Sequence, residues 1–105
     1  MQNKVYGLLS LAARGRNVVS GEFATESAVK DGSAVLVIVA EDASDNTKKL
    51  FHDKCSFYEV PIYTYGTKEE LGHAMGKEAR SSLALVNEGL ARSIEKHLEA
   101  LQIRR

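Results

Sequence analysis

The sequence predicts an α/β fold: a three-layer α/β/α sandwich with a central four-stranded mixed sheet and elements in the order α-β-α-β-α-β-α-β-α. Three observations carry this. Segments with helical apolar spacing alternate with short strand-like runs along the whole chain. One run, residues 34–40 (Ala-Val-Leu-Val-Ile-Val-Ala), is continuously apolar and rich in β-branched residues, as a strand covered on both faces should be. The length of 105 residues, 44% of them hydrophobic, suits one core, so residues 1–105 are expected to form a single domain.

Each element has its own local signal. Val5, Leu8, Leu9 and Ala12 recur at helical spacing, and Gly15 stops that helix. Val18 and Val19 form a short strand within residues 17–20. Residues 21–31 read as a second helix with Phe23, Ala24, Ala28 and Val29 as its apolar surface and Gly32 as its stop. After the buried strand, Ser44 or Asp45 can cap a third helix. Its stripe is Thr47, Leu50, Phe51, Lys54, Cys55 and Tyr58, with Lys54 supplying only its stem. Residues 60–65 are a strand, with Pro61 near its start where a missing N–H is tolerated. Thr67 and Glu70 spell a capping box for a helix through Leu71, Ala74 and Met75. Residues 83–86 form the last strand, and Leu90, Ile94, Leu98 and Leu101 line the last helix.

Composition narrows the function classes. Fourteen Lys and Arg balance fourteen Asp and Glu, and neither half of the chain has an excess of one sign. This excludes coating of nucleic acid through bulk charge but leaves room for a local basic patch. With one cysteine, Cys55, no intrachain disulfide can form, and its place in an apolar stripe predicts a buried, unreactive thiol. No secretory leader opens the chain, and its longest apolar run is far too short to span a bilayer, so a cytoplasmic location without a membrane partner is expected. Trp is absent and aromatics make up 7%, which argues against a sheet-wide base-stacking platform.

Catalytic and metal chemistry find little support. His52, His73 and His97 lack a second ligand at metal spacing, so no metal or other cofactor is expected. Glu41-Asp42 follows the buried strand, where α/β enzymes often place acids, but it is read as shaping the loop. Ser10, Ser20 and Ser44 lack a nucleophile-elbow context, and the glycines around Gly72 and Gly76 are too sparse for a phosphate loop. No enzyme is expected. The basic residues are more suggestive: Arg14 and Arg16, Lys48 and Lys49, and Lys77 and Arg80 sit in pairs at element ends, which one edge of a sandwich can gather into a phosphate-binding patch.

Several segments resemble a known family when taken in order: Val18-Val19-Ser20-Gly21-Glu22; residues 34–49; Cys55; Val60-Pro61; and Leu71-Gly72-His73-Ala74-Met75-Gly76-Lys77. Together they look like the ribosomal protein family typified by archaeal L-seven-Ae and eukaryotic L-thirty-e, and most of all its small bacterial branch. The resemblance spans residues 4–101. It implies the same sandwich and a ribonucleoprotein role: binding of ribosomal or kink-turn RNA, a sharply bent duplex with a short bulge followed by sheared G·A pairs. The elements implied as contacts are the N-terminus of the second helix and the loop before the last strand.

Carried onto this chain, the candidate RNA-binding residues are Arg16, Asn17, Gly21, Glu22, Phe23, Ser27, Lys48, Lys77, Glu78 and Arg80. Family members that bind kink-turns strongly usually present Asn-Glu and then Lys three positions on at the start of the second helix. Counting back without gaps from Ala28-Val29-Lys30-Asp31-Gly32 puts Phe23, Ala24 and Ser27 at those places, and Asn17 stands where a lysine is often found. The alternative reading is a protein-interaction module on the same fold, with Phe23 as an exposed apolar anchor and a ribosomal or other protein as partner. A monomer is expected in either case.

Overall fold

The structure, a computed structural model, describes residues 3–103. Its elements are α1 (Lys4–Arg14), β1 (Val18–Ser20), α2 (Glu22–Asp31), β2 (Leu36–Val39), α3 (Asp45–Tyr58), β3 (Ile62–Thr64), α4 (Lys68–Ala74), β4 (Ser82–Leu85) and α5 (Glu88–Ile103). The predicted order and the three-layer sandwich are both observed. The sheet runs β1-β4-β2-β3, with β2 and β3 parallel and β4 antiparallel to both its neighbours. Ala84 at the centre of β4 therefore faces Val19 on one side and Val37 on the other. Helices α2 and α3 cover one face of the sheet, and α1, α4 and α5 are grouped on the other. No described helix is long and apolar enough to cross a membrane.

The core follows the predicted stripes except at their ends, where Tyr58 of α3 and Leu101 of α5 are exposed. Leu9, Leu36, Ile38, Phe51, Leu71, Leu83, Leu85 and Ile94 are fully buried. Every residue of β2 and β4 is buried, which explains why these strands lack polar alternation, the one polar member being Ser82 of β4. The ladders are shorter than the apolar runs: Ala34 and Ala40 are buried but lie outside β2, tied by neighbouring backbone bonds from Val35 N–H to Leu85 O and from Ala40 N–H to Ser81 O. The Ser44 hydroxyl, not the Asp45 carboxylate, caps α3, accepting from Thr47 N–H at 3.1 Å. The Thr67–Glu70 capping box is present at α4.

Phe23 departs from the expected helix surface. Thr25, Ala28 and Val29 pack α2 onto the sheet, while Phe23 is 85% exposed. Two residues turn a helix by about 200°, so a face built on Thr25 turns Phe23 outward. Thr25 is tolerated in the core because its hydroxyl accepts from the Ser82 hydroxyl at 3.5 Å.

Two local features make testable demands. Burial pushes the Cys55 thiol up to about 11. At pH near 8 its reaction with a soluble disulfide reagent should therefore wait on unfolding and become fast only in denaturant; rapid labelling of the folded protein would contradict this. Glu70 ties α4 to α1, accepting from the Tyr6 hydroxyl at 2.7 Å as well as from Thr67 N–H at 3.3 Å. The Tyr6 bond first, then the Thr67 backbone bond, hold its carboxyl below the usual carboxylate range. Its contribution to stability is thus present above the unfolded-state carboxylate pKa and is lost as pH falls through the lowered folded-state value. Glu70→Gln should show a smaller loss of melting temperature on acidification than the wild type, and equal losses in thermal melts would refute the linkage.

Candidate nucleic-acid interface

The site is built at the free edge of the sheet, where β1 has one neighbour. The chain leaves α1 through Gly15 and then Arg16, whose φ of 59° is in the left-handed region. Arg16 N–H donates to Ala13 O and Asn17 N–H to Ala12 O, closing the reversal, and Asn17 O accepts from Val86 N–H, which fastens it to the end of β4. This turn brings Arg14 and Arg16 to a groove of about 470 Å³ whose other walls are Val18 and Ser20 of β1 and Gly76 and Lys77 of the loop before β4. Three cations from two distant stretches of sequence meet there.

The loop of residues 75–81 is held from beneath by α4. Lys77 N–H donates to Gly72 O at 2.8 Å and Arg80 N–H to Lys68 O at 2.9 Å. Gly72 is buried, and a Cβ there would overlap the Glu78 carbonyl and lie 3.0 Å from Ala79 Cα. Only glycine lets the helix and the loop backbone approach this closely. The Arg80 side chain braces the loop from the other side. Its Nε donates to the Ser20 hydroxyl at 3.1 Å, and its Nη1 donates to Glu78 O at 3.3 Å and Ala79 O at 3.2 Å. Arg80 is thus a strut between loop and sheet edge, and its Nη2 makes no protein bond among the described residues.

The same strut leads to the start of α2. Ser20 precedes Gly21, the N-cap of α2, whose φ of 94° suits glycine and whose N–H donates to Ser82 O at 3.0 Å. Gly21 supplies no side-chain cap, so the first-turn N–H groups of α2 receive no side-chain acceptor from that position. Of the two carboxylates nearby, Glu26 is neutralised by Lys30 at 3.3 Å and Lys54 at 3.9 Å. Glu22 is exposed and makes no salt bridge among the described residues, so the local repulsion of an anion is confined to one group.

The predicted site residues divide as follows. Arg16 and Lys77 line one groove, Glu78 and Arg80 form the loop beside it, and Gly21, Glu22 and Phe23 begin α2 beyond Ser20. Asn17 is half-buried at the foot of β1, and Ser27 is exposed further along α2. Lys48 is not brought to them: it lines a groove of about 980 Å³ with Glu41, His52, Tyr63 and Leu98 at the opposite sheet edge, beside β3. Asp42 caps α4, accepting from Lys68 N–H at 2.8 Å, which accounts for its place after the central strand. Among the described residues no three His, Cys, Asp or Glu side chains gather as metal ligands.

Three participants lie outside the candidate RNA-binding residues: Arg14, marked only as one of the basic pairs at element ends, Gly72 and Ser20. Gly72 carries only a partial signal: a glycine inside a helix costs about 1 kcal/mol relative to alanine, but Gly7 in α1 has the same local pattern with open space around it. Ser20 carries none, because its role exists only through Arg80, which is distant in sequence.

The chain matches the model of the ribosomal protein L7Ae/L30e/S12e/Gadd45 family over residues 3–95. It is 42% identical over 89 residues to the RNA-binding protein YlxQ of Bacillus subtilis, covering 85% of this chain and 89% of that one. A solved Bacillus halodurans protein of unknown function superposes with a TM-score of 0.90 at 36% identity, covering 93% of this chain and 99% of that one. The Giardia lamblia 15.5kD RNA binding protein superposes with a TM-score of 0.76 at 24% identity, covering 96% and 92%, and shows the shared fold.

Proposed function

The chain belongs to the ribosomal protein L7Ae/L30e/S12e/Gadd45 family, among its small bacterial members, and from that membership we propose that it is an RNA-binding protein. Its target in this reading is ribosomal or kink-turn-like structured RNA, gripped between the start of α2 and the loop of residues 75–81. The observation that carries the proposal is the convergence of Arg14, Arg16 and Lys77 on one groove next to the uncapped start of α2. Cations and free helix N–H groups both favour phosphate oxygens, and a patch of this size needs no net positive charge on the whole chain. A bent or bulged RNA exposes a widened groove and unstacked bases, so shape provides the selectivity that a few cations cannot. The protein acts here as one domain and as a monomer.

The test compares a duplex carrying a kink-turn bulge with the same duplex lacking it, across a salt titration from about 50 to 200 mM. Tighter binding of the bulged RNA at every salt concentration is expected. Equal affinity for the two RNAs would overturn shape recognition, and failure to bind either would overturn the RNA reading itself.

A further inference from the structure

We infer that Phe23 is a stacking platform for an unpaired base of the bound RNA, so that an unstacked nucleotide is part of what this site recognises. This rests on the RNA reading above and adds a ligand element to it. Phe23 is 85% exposed, more than Leu11, Phe57, Tyr58 or Leu101, the other large exposed apolar side chains of the described residues. Phe57, exposed to 79%, at least has an aromatic partner, packing edge-on to Tyr58 with ring centroids 4.9 Å apart. Phe23 has no aromatic partner among the described residues, and the fold does not need it, because Thr25, Ala28 and Val29 already seat α2 on the sheet.

Its place decides what it suits. Phe23 stands two residues after Gly21, where a Cβ would meet nothing within 4 Å, so the approach to the helix start is open. One residue earlier, Ser20 lines the groove of Arg14, Arg16 and Lys77 and holds the Arg80 guanidinium. An RNA strand whose phosphates follow those cations passes the exposed ring. Phenylalanine has no hydrogen-bonding group, and neither has the neighbouring Ala24, so base edges are not read by side chains at these two positions. Stacking on a ring face is what remains, and it tolerates any base that is free to leave its own stack. A paired duplex offers no such face. The groove cations favour a nucleotide over an apolar protein surface, whose docking would have to desolvate them, and Glu22 alone opposes it.

The chain has no tryptophan, so Phe23→Trp installs a single fluorescent reporter at the inferred contact. Wild type, Phe23→Trp and Phe23→Ala are titrated with a bulged duplex and its unbulged counterpart, with circular dichroism confirming that each variant is folded. The expected result is a loss of about 5- to 150-fold for Phe23→Ala on the bulged RNA, with no change on the unbulged duplex. Phe23→Trp should keep its affinity within about threefold, with indole emission quenched only by the bulged RNA. Wild-type affinity of Phe23→Ala for bulged RNA, or an unquenched Trp at saturation, overturns the stacking role while leaving the RNA reading in place. The same holds if Phe23→Ala abolishes capture of a protein partner after nuclease treatment and leaves RNA affinity intact. If wild type binds neither RNA, both fall together.

Discussion

Gly72→Ala should unsettle the molecule and the loop of residues 75–81, while Gly7→Ala, the same change in another helix, should stabilise it. A Cβ on Gly7 in α1 meets nothing within 4 Å, whereas one on Gly72 in α4 runs into the Glu78 carbonyl and lies 2.6 Å from the Glu78 carbonyl carbon. The obstacle at Gly72 is backbone, so no side-chain rotation relieves it. Overpacking of this kind costs about 1–3 kcal/mol, and in a domain of this size each kcal/mol shifts the melting temperature by roughly 4–8 °C. Gly7→Ala should instead raise stability by roughly 0.5–1 kcal/mol through helix propensity. The functional consequence of Gly72→Ala follows from the loop it displaces, because residues 77–80 rest on α4 through the Lys77–Gly72 and Arg80–Lys68 backbone bonds. RNA affinity should fall by about tenfold or more although no charge is removed, since misplacing one or two charge-assisted bonds suffices. Thermal melts and binding measured on both variants check the pair. A Gly72→Ala protein with wild-type melting temperature and wild-type affinity would show that the α4–loop contact does not constrain the site.

The second large effect concerns charge. Removing the three cations of the β1 groove, as Arg14→Ala, Arg16→Gly and Lys77→Ala combined, should weaken RNA binding by about 100-fold or more at low salt. It should also flatten the dependence of log affinity on log salt, by about one unit for each cation that contacts a phosphate. All three side chains are exposed, and glycine at position 16 relieves the left-handed φ of 59° that arginine now adopts, so folding should survive. Lys48→Ala is the internal control. Lys48 has the same charge and was grouped with the others on sequence grounds, but it lies at the opposite sheet edge, and its loss should leave affinity and slope nearly unchanged. Reversal of these outcomes, with Lys48 mattering and the groove not, would move the interface to the β3 edge.

The contrast between Lys48 and Lys77 shows how far the sequence could be read. Both are lysines at element ends, and local pattern treats them alike. The sheet order separates them, because β4 inserts between β1 and β2 and places the loop before it beside β1. Arg80 reads equally well as a phosphate ligand, yet two of its guanidinium nitrogens are already occupied by Ser20 and the loop carbonyls. Phe23 counts as helix surface by hydropathy, but the face of α2 is chosen by what fits the sheet, and Thr25 fits there through its bond to Ser82.

By itself the sequence determined the element order, a cap for α3 at Ser44 or Asp45, the Thr67–Glu70 capping box, a doubly covered strand within residues 34–40, the buried Cys55 and the family. These depend on interactions among residues near in sequence, or on the periodicity with which one element meets a core, and both are written in local spacing. Only the tertiary structure decided which cations share a groove, that Gly72 must stay small, that Arg80 is a brace and that Phe23 faces outward. Each depends on a partner brought from a distant part of the chain by strand order, and no local pattern carries that information. Net neutrality is consistent with this division: charge counted along the chain cancels, while charge placed by the fold does not.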